Sequence, residues 1–517
     1  MATSPSFFEV LKSELSIDID TVPFKIFFTL VYGGLAGLTN FSSLYYTQLG
    51  LSPQEIGLVS AVRHTFSIVV LPLIGPVVDF KEYRRSLLVI FIVIFTCCIT
   101  PIGFIQKPRW CCSQNETSNM SFARRYSFPP GCCSETDDNY CYQSVTSFGQ
   151  PQIGYIVSDV FKAFIIICAL NGLGDMCWMT IRVTSDVSLA QALGGNSDRY
   201  GTSKVFGAIG GALFALMAGY LIDRSTAEVK RCGTEFQQYN YSYIFVANAV
   251  LMALSAIIVL FFPKYNGNSQ NTNRCPTFDW KECISSLLKF SYIKLYVISF
   301  LFGTLKASSL TAFAYIYLRE VGGSNILVGA AATLGIVSGI VAGFCSSYLI
   351  RRFEHKLLYA SFLITVLVMM IYSLLETNWL IIIASLLMGG TPIIEWNVCV
   401  FIMRKIVDDK QTGTAYSLMT LTTKIGKLIS SVLAGYLYSI YGPTWLFRIF
   451  AAFSFVAVGI TYISFRSISH EKNEGDNDTD SKTDAETEET SLLTATRPVA
   501  VLPDVSVDCD IQRVQPK

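Results

Sequence analysis

The chain has 517 residues, 51% hydrophobic and only 15% charged, with a mean hydropathy of +0.45. A soluble globular chain carries about a quarter charged residues, so this composition excludes an ordinary soluble domain. Its 39 basic and 38 acidic side chains leave a formal net charge of +1, which argues against a nucleic-acid partner.

The opening segment, MATSPSFFEVLKSELSIDID, is polar and acidic and has no basic region ahead of a short apolar core. It is therefore expected to remain in place, residues 1–21 forming a cytosolic N-terminus and the first apolar stretch acting as its own insertion signal. Twelve apolar stretches follow, each long enough to cross a bilayer, at 22–48, 53–78, 86–106, 155–182, 203–223, 242–263, 291–318, 325–350, 357–375, 378–404, 413–440 and 443–465. They divide six and six around a polar break at 264–290. The expected fold is an all-α membrane protein of two six-helix bundles, 22–263 and 291–465, joined by a cytosolic loop. Such a layout usually moves a small solute through a site between the halves. The loops between spans 1–2, 7–8, 9–10 and 11–12 are very short, which predicts antiparallel neighbours.

Charge sets the orientation. The even-to-odd loops carry Lys81, Arg84 and Arg85, then Lys204, then Lys264, Arg274 and Lys281, then Arg351, Arg352 and Lys356, then Arg404, Lys405 and Lys410. Loops 1–2, 9–10 and 11–12 carry no Lys or Arg, and loop 7–8 has only Arg319. Both termini are expected in the cytosol. The sequons at Asn115, Asn119 and Asn240 then fall in the external loops 3–4 and 5–6, and are expected to carry sugar. Asn40, inside the first span, and Asn477, in the tail, are expected to stay bare.

Of 15 cysteines, the outer loops hold Cys111, Cys112, Cys132, Cys133, Cys141 and Cys232. An even number on the oxidising side, in a polar loop (107–153) that cannot build its own core, points to disulfides. Their connectivity stays open. No His accompanies them, which disfavours zinc. Cys97, Cys98, Cys168, Cys177, Cys345 and Cys399 lie in spans and read as small packing residues.

The halves echo one another. Span 5 ends Ala218-Gly219-Tyr220-Leu221 and span 11 ends Ala434-Gly435-Tyr436-Leu437. Span 2 opens Ser52-Pro53-Gln54-Glu55-Ile56-Gly57 and span 8 opens Ser324-Asn325-Ile326-Leu327-Val328-Gly329. Matches in corresponding helices argue duplication in parallel orientation. Gly207, Gly210 and Gly211, and Gly335, Gly339 and Gly343, recur where helices must touch.

Loop 2–3 reads Gly75-Pro76-Val77-Val78-Asp79-Phe80-Lys81-Glu82-Tyr83-Arg84-Arg85. It resembles the G-x-x-x-D-R-x-G-R-R motif of the major facilitator superfamily, departing from it at Phe80 and Glu82. The resemblance implies that Gly75 permits close helix contact, that Asp79 caps or pairs with a neighbouring helix end, and that Arg84 and Arg85 face the cytosol. The stretch Tyr45-Tyr46-Thr47-Gln48-Leu49-Gly50-Leu51-Ser52-Pro53, with Arg63, Asp198-Arg199-Tyr200-Gly201, Gly389-Gly390-Thr391 and Trp396, is similar to the family of major facilitator superfamily domain-containing protein 6 and its relatives. That family lies in a clan of sugar- and nucleoside-proton symporters, and the resemblance implies a multi-pass carrier fold.

At about 1.5 Å per residue, Lys25, Asp159, Asp223 and Arg448 lie near interfaces, where they snorkel or cap. The deep set is Arg63, His64, Asp175, Lys306, Glu395, Lys424 and Lys427. Charge at mid-bilayer is costly, so these should pair or line water. Asp175 and Glu395 follow Gly-rich turns in repeat-equivalent spans 4 and 10, where Gly and Pro are expected to loosen the helices. Two readings stand: a proton carrier, or a static salt bridge to Lys424 locking the halves together. The deep set has a surplus of positive charge, which leans towards an anionic or zwitterionic solute. Tyr45, Tyr46, Trp178 and Trp396 are candidates to stack on a sugar or base, or else to pack the wall.

No soluble-enzyme signature and no P-loop is present, so the chain is expected to be neither an enzyme nor an ATP-driven pump. With His64, His355 and His470 as the three histidines, and Cys275, Cys283 and Cys509 scattered, neither a metal site nor a cofactor is expected. The tail, 466–517, is acidic and expected to be disordered. Its Glu488, Leu492 and Leu493 resemble an acidic dileucine signal read by cytosolic sorting adaptors. The expected protein is a secondary transporter in the plasma or endolysosomal membrane, with a proton as candidate coupling ion. The alternative is a surface receptor or scaffold acting through loop 107–153.

Overall fold

The computed structural model describes residues 22–78, 83–112, 141–144, 153–193, 200–231, 234–262, 290–375, 377–406 and 412–480. The first half holds α1 (Val22–Gln48), α2 (Pro53–Val78), α3 (Arg84–Ile99, continued by a 3₁₀ turn Thr100–Phe104), α4 (Val157–Leu193), α5 (Tyr200–Arg224) and α6 (Ser242–Val259). The second half holds α7 (Phe290–Leu305), α8 (Ser308–Glu320), α9 (Asn325–Phe353), α10 (Lys356–Ser373), α11 (Leu380–Ile406) and α12 (Thr412–Asp480).

These are twelve crossings. Span 7 is the pair α7 and α8, broken at Lys306–Ala307, where Ala307 leaves the helix with ψ 133°. Spans 11 and 12 are the two arms of α12. A straight helix over Ala415–Ser464, 50 residues, would run roughly 75 Å, more than twice the hydrocarbon core. The arms part at Gly442, whose φ of 81° suits glycine alone, and Pro443 opens the second arm. Ring contacts between Tyr372 and Phe447 (5.2 Å) and between Tyr359 and Tyr462 (6.1 Å) lay that arm antiparallel to α10.

In the first half α1 packs on α5 and α6, α2 on α4, and α3 on α4 and α6. In the second, α7 packs on the first arm of α12, α9 on α11, and α10 on α11 and α12. The halves meet along two seams, α5 with α9 and α2 with α12. The short loops are thus poor guides to packing. α10 and α11 are packed neighbours, but α1 and α2 share little contact. The reason lies in the helix faces: α1 turns its fully buried Phe24, Phe27, Phe28 and Phe41 towards its own half, with Phe24 and Phe27 against Phe262 beyond α6, whereas α2 crosses to the other half.

Other boundaries differ from expectation. α4 runs to Leu193, eleven residues past the expected end at 182. α12 runs to Asp480, past the expected start of a disordered tail at 466. Loop 3–4 contributes a small antiparallel sheet in the order β1 (Trp110–Cys112), β3 (Ile153–Ile156), β2 (Cys141–Ser144). Loop 5–6 forms the hairpin β4 (Ala227–Arg231) and β5 (Thr234–Gln238).

Candidate functional site

A cavity of about 1240 Å³ lies between the halves. The end bearing the Gly50, Gly322 and Gly442 turns is termed the hairpin end. The cavity runs from Tyr46 and Tyr372, near that end, to Asp186, Lys204 and Phe344 near the opposite one.

Both seams are tightest at the hairpin end, and the sequence repeat explains why. Gly57 of α2 sits against Ser431 and Gly435 of α12, so a methyl group on Gly57 would lie 2.5 Å from the Ser431 carbonyl oxygen. Gly219 of α5 sits against the start of α9, so a methyl group there would lie 2.5 Å from the Asn325 carbonyl oxygen. The Ala-Gly-Tyr-Leu ending of one half therefore always meets the Ser-x-x-x-x-Gly opening of the other. The α5–α9 seam carries an added polar clasp. Asp223 Oδ1 accepts from the Asn325 backbone N–H (3.1 Å) and Nδ2 (2.8 Å), and Oδ2 accepts from the Ile326 N–H (2.7 Å). Tyr241 donates to Asn325 Oδ1 at 3.2 Å. Asp223 thus caps the N-terminus of a helix in the other half, stronger duty than the interfacial capping expected of it.

The deep charges form ion pairs within each half. Arg63 of α2 meets Asp175 of α4 at 3.2 Å, and Ser67 donates to the other Asp175 oxygen. Lys306, at the α7–α8 break, meets Glu395 of α11 at 3.4 Å, while Ser361 donates to the same carboxylate. The ammonium also donates to Thr365 (2.5 Å) and Thr391 (2.6 Å). The expected pairing of Asp175 or Glu395 with Lys424 across the halves is therefore replaced by two pairs inside them, because α2 packs on α4 and α7 on α11. α4 and α11 also run unbroken through their Gly-rich turns; the break falls in span 7 instead.

The two pairs differ in setting. Glu395 is fully buried behind Lys306, which is 2% exposed and lines the cavity, whereas Arg63 is 34% exposed and both Arg63 and Asp175 line the cavity. Lys424 of α12 reaches across the α2–α12 seam to α4, its ammonium 3.7 Å from the Met179 sulfur. Neither Lys424 nor Lys427 has an ion-pair partner among the described residues. His64 lies in the same electrostatic neighbourhood as Arg63, Lys424, Lys427 and Asp175, and both its ring nitrogens are buried with no hydrogen-bond partner among the described residues.

Among the aromatics, Tyr46, Trp178 and Trp396 line the cavity, Trp396 packing on Phe302 (6.0 Å) and Tyr416 (5.8 Å). Tyr45 instead belongs to the wall, donating to the Ile102 carbonyl and packing on Phe245. Sequence reasoning passed over Arg182 and Asp186, which line the cavity on the extended α4, Asp186 paired with Lys204 of α5. The signal was available: Val183, Val187 and Leu189 carry the apolar periodicity of α4 beyond residue 182.

Of the loop 2–3 motif, Gly75 lies in α2 and Asp79 lies outside the described residues. Arg84 does not face the cytosol as the motif implies. It is buried and donates to Gln191 of α4, because the longer α4 supplies an acceptor beside it. Arg85 is half-buried. Asn240 is exposed, with its Oδ1 accepting from the Ser242 N–H at 3.2 Å. Asn115, Asn119, Cys132, Cys133, Cys232, Glu488, Leu492 and Leu493 lie outside the described residues. Cys111 and Cys112 lie in β1 and Cys141 in β2, the strands flanking β3. No group of His, Cys, Asp and Glu able to hold a metal ion occurs among the described residues.

Two six-helix halves around a charged central cavity define a membrane carrier of the major facilitator type. The chain belongs to the MFS_1 like family, whose model matches residues 22–449. Its backbone is similar to that of the nucleoside transporter NupG, at a TM-score of 0.63 and 12% identity over 86% of this chain and 98% of that one. It is similar to a bacterial homolog of the human lysosomal transporter Spinster in an inward-facing state, at a TM-score of 0.59 and 10% identity over 87% and 96%. A D-xylose-proton symporter matches at a TM-score of 0.57 and 11% identity over 88% and 97%. At such identities the likeness is one of fold.

Proposed function

We propose that this chain is a proton-coupled secondary transporter of a small solute, working by alternating access of its two halves. The observation that carries the reading is the cavity itself: sealed at the hairpin end by two glycine-tight seams, and extending to Asp186 and Lys204 towards the other. On the orientation expected from loop charge, with both termini in the cytosol, this is a cytosol-facing state. The membrane is that of the cell surface or the endolysosomal system, with cytosolic adaptors reading the tail.

Asp175 is the coupling group we favour over Glu395. Asp175 itself lines the cavity beside a part-exposed Arg63, a route for protons to water, whereas Glu395 is sealed behind Lys306. Lys424 belongs to the other half, so rocking the halves changes the field at Asp175 and links protonation to conformation. The test uses proteoliposomes and a solute found by screening. Asp175→Asn should fold, exchange solute between the two sides, and lose pH-driven accumulation. Full pH-driven accumulation in this variant would remove Asp175 from the coupling role, and His64 would take its place as candidate.

A further inference from the structure

We propose that the α9–α10 turn, at the end of the molecule opposite the hairpin end, docks a phospholipid headgroup carrying several phosphates, through Arg351, Arg352 and Lys356.

The bases stand where headgroups lie. On α9 the exposed residues Val337, Val341, Cys345 and Tyr348 recur every three or four positions and so follow one face. On a membrane span such a face meets lipid. The next steps of that stripe are Arg351 and Arg352, both exposed. On α10 the exposed stripe of Leu374, Met370, Leu367 and Leu363 leads through Ala360 to Lys356, again exposed. Both stripes thus pass from hydrocarbon to positive charge at the same end. Tyr348, 72% exposed, sits between the two regions, the level at which an amphipathic ring settles.

The turn presents these charges bare. Only Glu354 and His355 separate α9 from α10, and Glu354 leaves the helix at φ 43°. Its carboxylate is held by Lys405 of α11 at 2.9 Å. Among the described residues, no ion pair or side-chain hydrogen bond engages Arg351, Arg352, Lys356 or the exposed Arg404 beside Lys405. The first half handles its bases differently: Arg84 is buried on Gln191 and Arg85 is half-buried. Positive charge that sets topology can therefore be drawn into the protein, so bare bases in the second half are not a demand of topology. Four Lys and Arg side chains immediately beyond the spans suit a polyanionic headgroup, and two arginines suit phosphate oxygens. The apolar stripes leading into them give acyl chains a place, which a free phosphate would leave unused. On the orientation expected from loop charge, the lipid belongs to the cytosolic leaflet.

The test titrates the purified full chain with fluorescent dioctanoyl phosphatidylinositol bisphosphate and reads polarisation. Unlabelled bisphosphate lipid should displace the probe at least about tenfold better than dioctanoyl phosphatidylserine or soluble inositol trisphosphate. Arg352→Gln should weaken binding about fivefold, and Arg351→Gln/Arg352→Gln/Lys356→Gln at least about tenfold. Lys264→Gln/Arg274→Gln/Lys281→Gln, which removes the same charge from loop 264–290, should bind like the wild type. Should the triple variant of the turn fail to fold, Arg352→Gln and the competition series on the wild type decide. The proposal is overturned if the two triple variants lose binding equally, if neither Arg352→Gln nor the turn variant loses any, if the serine lipid competes as well as the bisphosphate lipid, which would make the turn an unselective basic surface, or if the soluble headgroup does, which would make it a free-phosphate site.

Discussion

Replacing Asp223 with Ala should open the hairpin end. The side chain accepts from two backbone N–H groups and one amide across the seam, at 2.7 to 3.1 Å. Hydrogen bonds to a charged group contribute about 1.5–3 kcal/mol each when buried, and a carboxylate at a helix N-terminus about 0.3–1 kcal/mol more. Asp223 is only half-buried and the Ile326 contact is exposed, so water recovers most of this, and we take a net loss of about 2–3 kcal/mol. At 1.4 kcal/mol per tenfold, that shifts the balance between sealed and open forms roughly 30- to 140-fold. A protein resting about 99:1 in the sealed form would then be open in roughly a quarter to three-fifths of molecules.

The assay is the distance between nitroxides on genetically encoded side chains at Glu228 and Val321, exposed positions at the hairpin end on opposite halves. Cysteine labelling is unsuitable in a chain with 15 cysteines. Asp223→Ala should add a longer-distance population, and Asp223→Asn, which keeps one acceptor, a smaller one. Asp159→Ala serves as control, since it breaks only the Arg109 pair (2.9 Å) within the first half. Identical distance distributions in the wild type and Asp223→Ala would refute the idea that this carboxylate clasps the halves together.

Three further outcomes are expected. Asn240→Gln should lose a glycosidase-sensitive mass shift, while Asn477→Gln should not; sugar on Asn477 would reverse the orientation. Glu395→Gln, which leaves the Lys306 ammonium buried without its carboxylate, should cost about 3–5 kcal/mol and lower the folded yield seen by fluorescence-detected gel filtration; Lys306→Met/Glu395→Leu should recover most of it, and a double variant as poor as the single one would deny the pair its structural role. Leu492→Ala/Leu493→Ala should raise the surface-biotinylated fraction, and an unchanged fraction would remove the sorting signal.

Much of the fold was legible because a bilayer leaves so few choices: long apolar runs must be helices, and their count and spacing marked out the two halves. The repeat in Ala218–Leu221 and Ala434–Leu437 pointed to duplication, and the structure adds that both copies lie in the seams. What sequence could not show was which helix faces which. Loop length suggested α1 beside α2, but packing followed the Phe-rich face of α1 instead. The site was half legible for the same reason. Asp175, Glu395, Arg63 and Lys306 stood out by depth, yet their pairing depended on helix contacts between α2 and α4, and between Lys306 and α10–α11. Arg182 and Asp186 were hidden by an end placed too early on α4, and the break in span 7 by the absence of Gly or Pro at Lys306–Ala307.

The placement of charge also fits the motion. Each deep carboxylate is ion-paired inside its own half, so the halves can rock without breaking either pair in low dielectric, where separation is most expensive. Of the polar contacts that must break, the Asp223 clasp lies at the rim, where water replaces it, and the Thr333 hydroxyl, donating to the Ala212 carbonyl at 2.8 Å, lies deeper on the same seam. Even there the seams are unequal. α2 caps itself, Glu55 accepting from the Ser52 N–H (2.7 Å) and hydroxyl (2.8 Å) while Ser52 accepts from the Glu55 N–H (3.3 Å). α9 caps only in part with its own Ser324 (3.3 Å to the Leu327 N–H) and takes its other acceptor from Asp223. The residue corresponding to Asp223 on α12 is Ser439, four positions beyond Gly435 as Asp223 is beyond Gly219. Ser439 is exposed and carries a neutral hydroxyl where Asp223 carries a charge. Duplication therefore supplied two like seams, of which one holds a carboxylate against a helix terminus and the other does not. Opening the hairpin end strips α9 of its cap at the α5–α9 seam, while at α2–α12 it parts closely apposed glycine backbones and leaves the cap of α2 intact. The polar cost of opening is thus concentrated on the α5–α9 side, where Asp223, Tyr241 and Thr333 all bond across the halves.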